Sequence, residues 1–183
     1  LDPIFHPNSV AVLGASTQEK SLGHQILQSL IEYRFPGKIY PVNPRANELL
    51  GLRCFPSVTA IPDRVDLAVV VVPRERTLEA VEHCGQKGIK GLIVITAGFR
   101  EVGGEGAALE TQLAAIARQY GCRLIGPNCM GVINTDPHVR LNATFSPTFP
   151  LDGNVAFLSQ SGALGVAILN IAEERNLGLS SFV

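Results

Sequence analysis

The stretch Leu67-Ala68-Val69-Val70-Val71-Val72 is a run of apolar residues, most of them valine, that follows Asp66 directly. β-Branched residues favour extended backbone, and an apolar run without polar alternation suits a strand that is buried on both faces. Such strands are typical of parallel sheets that carry helices on both sides. The run is far too short to span a bilayer. It therefore predicts a central strand of an α/β domain.

Similar short runs lie on either side of this one, so that the predicted strands are Ser9–Leu13, Lys38–Val42, Asp66–Val72, Leu92–Thr96 and Arg123–Ile125. Amphipathic helical patterns separate them, and the clearest apolar stripe is Leu109, Leu113, Ile116, Ala117 and Tyr120. Strands alternate with helices as they do in βαβ crossovers. The sequence thus predicts a Rossmann-like, doubly wound parallel sheet that binds ligands at the carboxyl ends of its strands.

A different pattern begins after Ile125. The segment Gly126 to Pro150 is rich in proline and contains two short extended candidates, Val132–Asn134 and Asn142–Phe145, which we interpret as edge strands beside a linker. A new strand, Asn154–Leu158, and a helix over 163–176 follow; the apolar stripe of that helix is Leu164, Ala167, Ile168, Ile171 and Ala172. We expect a first domain at 1–135, a linker at 136–152, and at 153–183 the truncated start of a flavodoxin-like α/β domain whose chain continues.

Composition excludes several classes of protein. The formal net charge is −1 and charged residues make up 17% of the chain, so no basic field predicts a nucleic-acid or membrane partner. The four cysteines have neither CxxC nor zinc-finger spacing, which indicates a reduced, cytoplasmic protein without a metal site. The four histidines, His6, His24, His83 and His138, avoid the strand ends and are interpreted as surface residues.

The turns after the first two strands carry the first candidate ligand contacts. Gly14 ends the first strand and a helix follows, which is an arrangement that can hold a phosphate. The complete G-x-G-x-x-G pattern is absent, so an ordinary turn explains these residues almost equally well. No acidic residue follows the second strand to hold the ribose of NAD; Arg45 is present instead and suits an extra ribose phosphate, as in CoA or NADP.

The later strand ends add further candidates. Val72 and Pro73 end the third strand, and Thr96 and Gly98 follow the fourth; the glycine-rich segment Gly103–Gly106 suggests either a mobile loop or a plain connection. Asn128 follows the fifth strand, beside Cys129, which we discount as a nucleophile because no base is adjacent.

The turn at Ser159, Ser161 and Gly162 joins the last predicted strand to its helix. Its hydroxyls can cap that helix, or they can help to form a phosphate site at its positive end. The turn does not match the G-x-S-x-G elbow of serine hydrolases, because Leu158 takes the place of the first glycine.

The motifs V-A-V-L-G-A-S, P-V-N-P, I-T-A-G-F, G-P-N-C-M-G-V-I-N, L-N-A-T-F-S-P and G-N-V-A-F-L-S-Q-S-G-A-L follow one another over the whole chain. In this order they resemble the amino-terminal, CoA-binding region of NDP-forming acyl-CoA synthetases, the ADP-forming acetyl-CoA synthetase family, which is related to the succinyl-CoA synthetase α subunit. The later motifs are the more specific ones.

The resemblance implies an extended CoA across the strand ends. Gly14, Ser16 and Thr17 would line its phosphates, Asn43 would also belong to the CoA site, and Arg45 would lie near the adenosine phosphate. Val72, Pro73, Thr96 and Gly98 would contact the adenine and pantetheine portions, while Asn128 would lie near the thiol. Ser159, Ser161 and Gly162 would belong to the phosphate site of the second domain.

The resemblance also implies a reaction in which a phosphohistidine, located downstream of this chain, passes phosphate to a carboxylate that CoA then attacks. The complete protein would use ATP or ADP and Mg²⁺ on an ATP-grasp domain or subunit and could form a homo-oligomer, while these 183 residues hold no catalytic residue. Three alternatives stay open at this point: the regulatory part of a GNAT-fused lysine acetyltransferase, an NAD(P)-dependent dehydrogenase, and a separate CoA-binding regulator.

Overall fold

The predicted strand around Leu67–Val70 forms the centre of a five-stranded parallel sheet in the computed structural model, which describes all 183 residues. In chain order the elements are α1 (Asp2–Phe5), β1 (Ser9–Leu13), α2 (Leu22–Glu32), β2 (Lys38–Val42), β3 (Glu48–Leu49), β4 (Leu52–Arg53), β5 (Leu67–Val70), α3 (Arg74–Gln86), β6 (Gly91–Val94), α4 (Glu105–Gln119), β7 (Arg123–Ile125), β8 (Gly131–Asn134), β9 (Leu141–Thr144), β10 (Asp152–Phe157), α5 (Gly162–Glu174) and β11 (Leu179–Phe182).

Both faces of the central sheet are covered by helices, as the continuous apolar runs predict. Side chains alternate along a strand, so Val10 and Val12 of β1 pack in the same core cluster as α2, whereas Ala11 and Leu13 pack in the cluster that contains α3 and α4. The predicted Rossmann-like, doubly wound sheet is confirmed.

The strand order of this sheet, β2-β1-β5-β6-β7, creates a crevice between β1 and β5. From β1 the chain crosses to β2, which is the neighbour of β1 on one side. From β5, the neighbour of β1 on the other side, the chain crosses in the opposite direction to β6. Connections that leave two neighbouring strands in opposite directions separate at the carboxyl edge, which is where doubly wound folds bind their ligands.

A second, four-stranded sheet has the order β10-β11-β8-β9. β10 and β11 are parallel and are joined by α5, which confirms the predicted start of a second α/β unit. The interpretation of 132–134 as an edge strand is wrong, because β8 lies between β11 and β9 and is antiparallel to both. The reason is that both faces of β8 are buried: Val132 packs in the α2 cluster, and Ile133 packs with Leu169 and Phe182.

Helix α5 buries only part of the predicted stripe, because Ala172 is buried together with two residues outside that stripe. Gly165, Leu169 and Ala172 face the second sheet, whereas Leu164 and Ile171 are about half exposed. The helix is apolar on two sides, and Gly165 lets it approach Phe182 closely, so the side that carries glycine packs inward.

The glycine-rich segment after β6 contains only a two-residue connection, Gly103 and Gly104, between two elements of regular structure. A 3-10 turn spans Arg100–Val102, and α4 begins at Glu105, so Gly106 already lies within a helix. No helix of the chain combines the length and the apolar character needed to cross a bilayer.

Candidate functional site

Five of the predicted site residues follow the five strands of the first sheet at a single edge. In the order of the sheet they are Asn43 after β2, Gly14 after β1, Val72 after β5, Thr96 after β6 and Asn128 after β7. Because parallel strands place their carboxyl ends on the same side, residues far apart in the sequence form one row. Two cavities lie along this row.

The first cavity has a volume of about 840 Å³ and opens at the crevice between β1 and β5. It brings together six of the predicted residues, namely Gly14, Ser16, Asn43, Arg45, Val72 and Pro73. Thr17, in the same loop, is exposed and is not among the residues that line the cavity.

Gly14 is fixed by the close approach of two neighbouring segments. Its φ of +92° lies in the region that glycine favours, and a Cβ atom there would lie 2.8 Å from the carbonyl oxygen of Val71. A Cβ atom on Gly23 would in turn lie 2.0 Å from the Gly14 carbonyl oxygen. Glycine at both positions therefore lets the first turn of α2 lie directly on the turn that follows β1.

Asn43 joins the two turns at one side of this cavity. Its Nδ2 donates a 2.7 Å hydrogen bond to the Ala15 carbonyl, and its Oδ1 accepts one of 2.8 Å from the Arg45 amide. The Arg45 guanidinium is exposed and has no carboxylate partner, and the same is true of Arg76 on α3, which also lines the cavity. Two unpaired cations therefore lie on the walls of the cavity, with Glu79 and His83 also on its α3 side.

Thr96 and Gly98 line neither cavity but connect the two. The Thr96 hydroxyl donates to the Val72 carbonyl over 2.7 Å, and the Thr96 carbonyl accepts from the Asn128 amide over 3.0 Å. Arg74 reaches the Gly98 carbonyl over 3.4 Å, while the Glu101 carboxylate accepts from the Gly98 and Phe99 amides. These amide hydrogen bonds, chiefly that from Gly98, lower the pKa of Glu101 and favour its charged form.

The second cavity, of about 670 Å³, lies between the two sheets. It brings Asn128 together with Ser159, Ser161 and Gly162, which are more than 30 residues away in the sequence. The rim carries Arg100 and Glu110, whose side chains form an ion pair of 2.8 Å.

The two serines already make hydrogen bonds within their own turn. Ser161 is the N-cap of α5 and accepts from the Leu164 amide over 3.4 Å, and Ser159 accepts from the Ser161 amide over 3.0 Å. The amides of Gly162 and Ala163 have no acceptor within the protein. This turn therefore combines the capping role with unpaired donors at the positive end of a helix.

Three residues with a place at these sites were not found by sequence reasoning. Arg76 and His83 line the first cavity because they are seven residues apart on one face of α3, a spacing that was visible in the sequence. His24, expected at the surface, is only 7% exposed, and its Nδ1 lies 3.0 Å from the Ser16 carbonyl oxygen. Nothing in the sequence indicated that contact, because it depends on the path of the turn after β1.

Cys129 lines the second cavity as a half-buried free thiol. Burial raises its pKa to about 11, and its Sγ donates to the Val94 carbonyl over 3.4 Å. The geometry therefore agrees with setting it aside as a nucleophile. All four cysteines are free thiols, and no three His, Cys, Asp or Glu side chains come together as metal ligands.

Comparison with known proteins divides the chain into two family matches. Residues 8–135 match the family described as CoA binding domain, and residues 152–183 match the succinyl-CoA ligase like flavodoxin domain. The chain is 48% identical over its whole length to an ADP-forming acetate–CoA ligase I of Archaeoglobus fulgidus and to the α subunit of an ADP-forming acetate–CoA ligase II of Pyrococcus furiosus. It covers 26% of the first protein and 39% of the second, so it spans only part of these relatives.

A solved structure shows the same architecture. The acetyl-coenzyme A synthetase 1 of Ca. Korarchaeum cryptofilum, solved in complex with phosphate and ADP, superposes on the whole chain with a TM-score of 0.95 at 48% identity, and the chain covers 39% of it. These findings favour neither the acetyltransferase nor the dehydrogenase alternative. They confirm the resemblance seen in the motifs: the chain belongs to the CoA-binding domain family, in the form found in NDP-forming acyl-CoA synthetases.

Proposed function

We propose that this chain binds CoA in an extended pose along the carboxyl edge of the first sheet, as the CoA-binding part of an ADP-forming acyl-CoA synthetase. The observation that carries the proposal is the continuous row from Asn43 to Asn128, which links a cavity with cationic walls to a second cavity at the other sheet. A long ligand with phosphates at one end and a thiol at the other suits such a row.

The phosphorylated end of CoA would occupy the first cavity. Gly14 and Ser16 would line the diphosphate in this cavity, and the backbone amide of Thr17 would approach it from the same turn, since this turn meets the amino end of α2 and backbone amides at a helix start favour anions. Arg45 would contact the ribose phosphate, and Arg76 would add positive charge from the opposite wall. A dinucleotide such as NAD lacks the extra phosphate that these cations suit.

The pantetheine arm would then cross β5 and β6 toward the second cavity. Val72, Pro73, Thr96 and Gly98 would border its path, and Asn128 would lie beside the thiol. That placement would put the reactive sulfur near Ser159, Ser161 and Gly162, where the unpaired amides at the start of α5 would hold a phosphate.

In the complete protein, the carboxylate, CoA and ATP would be converted into acyl-CoA, ADP and phosphate. ATP and Mg²⁺ would bind to an ATP-grasp domain or subunit, phosphate would pass through a histidine outside this chain to the carboxylate, and the CoA sulfur would then displace it. The free, buried or half-buried cysteines suit the reducing cytoplasm, where we place the protein.

Amide NMR of the 183-residue chain titrated with CoA tests the binding pose. The proposal expects the largest shifts after all five strands, at Gly14 to Thr17, Asn43 to Arg45, Val72, Thr96 to Gly98, and Asn128. Shifts confined to one cavity would contradict the extended pose. The absence of any shift at saturating CoA would contradict CoA binding altogether.

A further inference from the structure

The turn after β1 is held by side chains from two different elements. Asn43, after β2, donates from Nδ2 to the Ala15 carbonyl over 2.7 Å. His24, in the first turn of α2, makes a 3.0 Å hydrogen bond between its Nδ1 and the next carbonyl, that of Ser16. Two successive carbonyl groups are thus fixed in direction.

Fixing these carbonyls also fixes the amides that follow them. In a trans peptide the C=O and the N–H point in opposite directions, so the Ser16 and Thr17 N–H groups point away from Asn43 and His24 respectively. Neither amide donates to an acceptor within the protein. Two adjacent unpaired donors next to a helix amino terminus form a cradle for an anion.

We propose that His24 is a positioning residue, which by holding the Ser16 carbonyl directs the Thr17 amide toward the diphosphate of the bound ligand. This inference rests on the proposed CoA function. The imidazole is only 7% exposed, so it would act through the loop rather than by touching the ligand. The backbone of His24 is held because its amide donates to the Ser21 side chain over 3.3 Å. A carbonyl oxygen can only accept, so Nδ1 carries the proton.

The diphosphate is common to CoA and dephospho-CoA, so the role of His24 must be equal for both. Arg45 is expected to act on the additional ribose phosphate, which only CoA carries. Loss of the His24 side chain should therefore weaken both ligands equally, whereas loss of the Arg45 side chain should weaken CoA more than dephospho-CoA.

Calorimetry of the 183-residue chain with both ligands tests the role of His24. In His24→Leu the Kd should rise about tenfold for CoA and for dephospho-CoA alike, the effect of one lost hydrogen bond. His24→Asn keeps a donor close to the Nδ1 position and should stay within about twofold of the original chain. The control Ser29→Ala changes an equally buried residue of α2 and should leave Kd unchanged. Unchanged affinity in folded His24→Leu would overturn the inference.

A second measurement does not depend on the folding of any variant. Imidazole NMR of the original chain should find the neutral His24 ring protonated at Nδ1, and the Thr17 amide should shift on CoA addition. A ring protonated at Nε2 alone would overturn the inference. If the original chain binds no CoA, it is the proposed function that fails; if it binds CoA with the wrong His24 tautomer, only the role of His24 fails.

Discussion

The Thr96 hydroxyl donates a 2.7 Å hydrogen bond to the carbonyl of Val72, joining the ends of β5 and β6 at the point between the two cavities. The bond satisfies a carbonyl that the sheet itself no longer pairs, because β5 ends at Val70. The residues that follow β5 and β6 therefore form the surface between the phosphate end and the thiol end of the proposed site.

Replacing Gly14 by alanine should destabilise the chain and abolish CoA binding. Alanine at a φ of +92° costs about 1–2 kcal/mol, and the new Cβ atom would also meet the Val71 carbonyl oxygen at 2.8 Å. Gly88→Ala is the matched control, because its φ is +85° and its Cβ atom would meet nothing within 4 Å. Urea unfolding should show a larger loss for Gly14→Ala, and equal losses would contradict the close approach.

Arg45→Ala should weaken CoA more than dephospho-CoA. A charged hydrogen bond contributes roughly 1.5–3 kcal/mol when it is well placed, and the exposure of Arg45 puts the expected loss at the lower end. Arg64→Ala removes the same charge beside the amino end of β5 and should affect neither ligand. If calorimetry finds the same loss of affinity for both ligands in Arg45→Ala, the guanidinium does not contact the extra phosphate.

In the complete protein, Ser161→Ala should slow phosphoryl or acyl transfer while CoA affinity stays nearly constant. The substitution removes the cap on the Leu164 amide, which costs about 1 kcal/mol of stability, and it also alters the proposed phosphate site. Ser161→Thr keeps the hydroxyl and should retain both properties. A lower melting temperature with undiminished turnover per folded molecule would leave capping as the sole role.

The buried thiols should react slowly and should make the chain sensitive to alkaline pH. Burial raises the pKa of Cys129 from 9.0 to about 11, so at pH 8 it holds about a hundredfold less thiolate than an unfolded cysteine. Iodoacetamide labelling followed by mass spectrometry should find Cys129 protected until urea is added. Labelling of the folded chain at the unfolded rate would contradict this burial.

The raised pKa values of the buried thiols also determine how the free energy of unfolding changes with pH. Cys84, whose pKa is raised to about 12, and Cys129 keep their protons in the folded chain at a pH where unfolded thiols have lost theirs. Their contribution to stability is therefore complete below pH 9 and declines as the pH rises toward 11 and 12. Urea unfolding at pH 8 and pH 10.5 should show this fall, and replacing Cys129 by alanine should reduce it.

The sequence was sufficient to predict the central sheet and the row of candidate site residues at its carboxyl edge. Continuous apolar runs such as Leu67–Val72 identify strands that are covered on both faces, and parallel strands bring the residues that follow them to one edge. Knowing the strands was therefore enough to place Gly14, Asn43, Val72, Thr96 and Asn128 in one row.

Other features depend on packing that a periodic pattern does not encode. Helix α5 has apolar residues on two sides, and only contact with Phe182 decides that Gly165 and Leu169 face inward. β8 has four buried residues, yet the pattern alone could not show that it lies between two antiparallel neighbours. The sequence pattern also does not show that His24 is buried, because its contact with the Ser16 carbonyl depends on the path of the turn after β1.

Calorimetry of the 183-residue chain with CoA and with NAD, under identical salt and pH, tests most directly whether the first sheet carries a CoA site. The turn after β2 offers Asn43, Pro44 and Arg45 and no carboxylate for the ribose of NAD, while two unpaired arginines line the cavity. We expect CoA to bind more tightly than NAD, by at least about tenfold, which is the effect of a single well-placed charged hydrogen bond. Equal or tighter binding of NAD would contradict it.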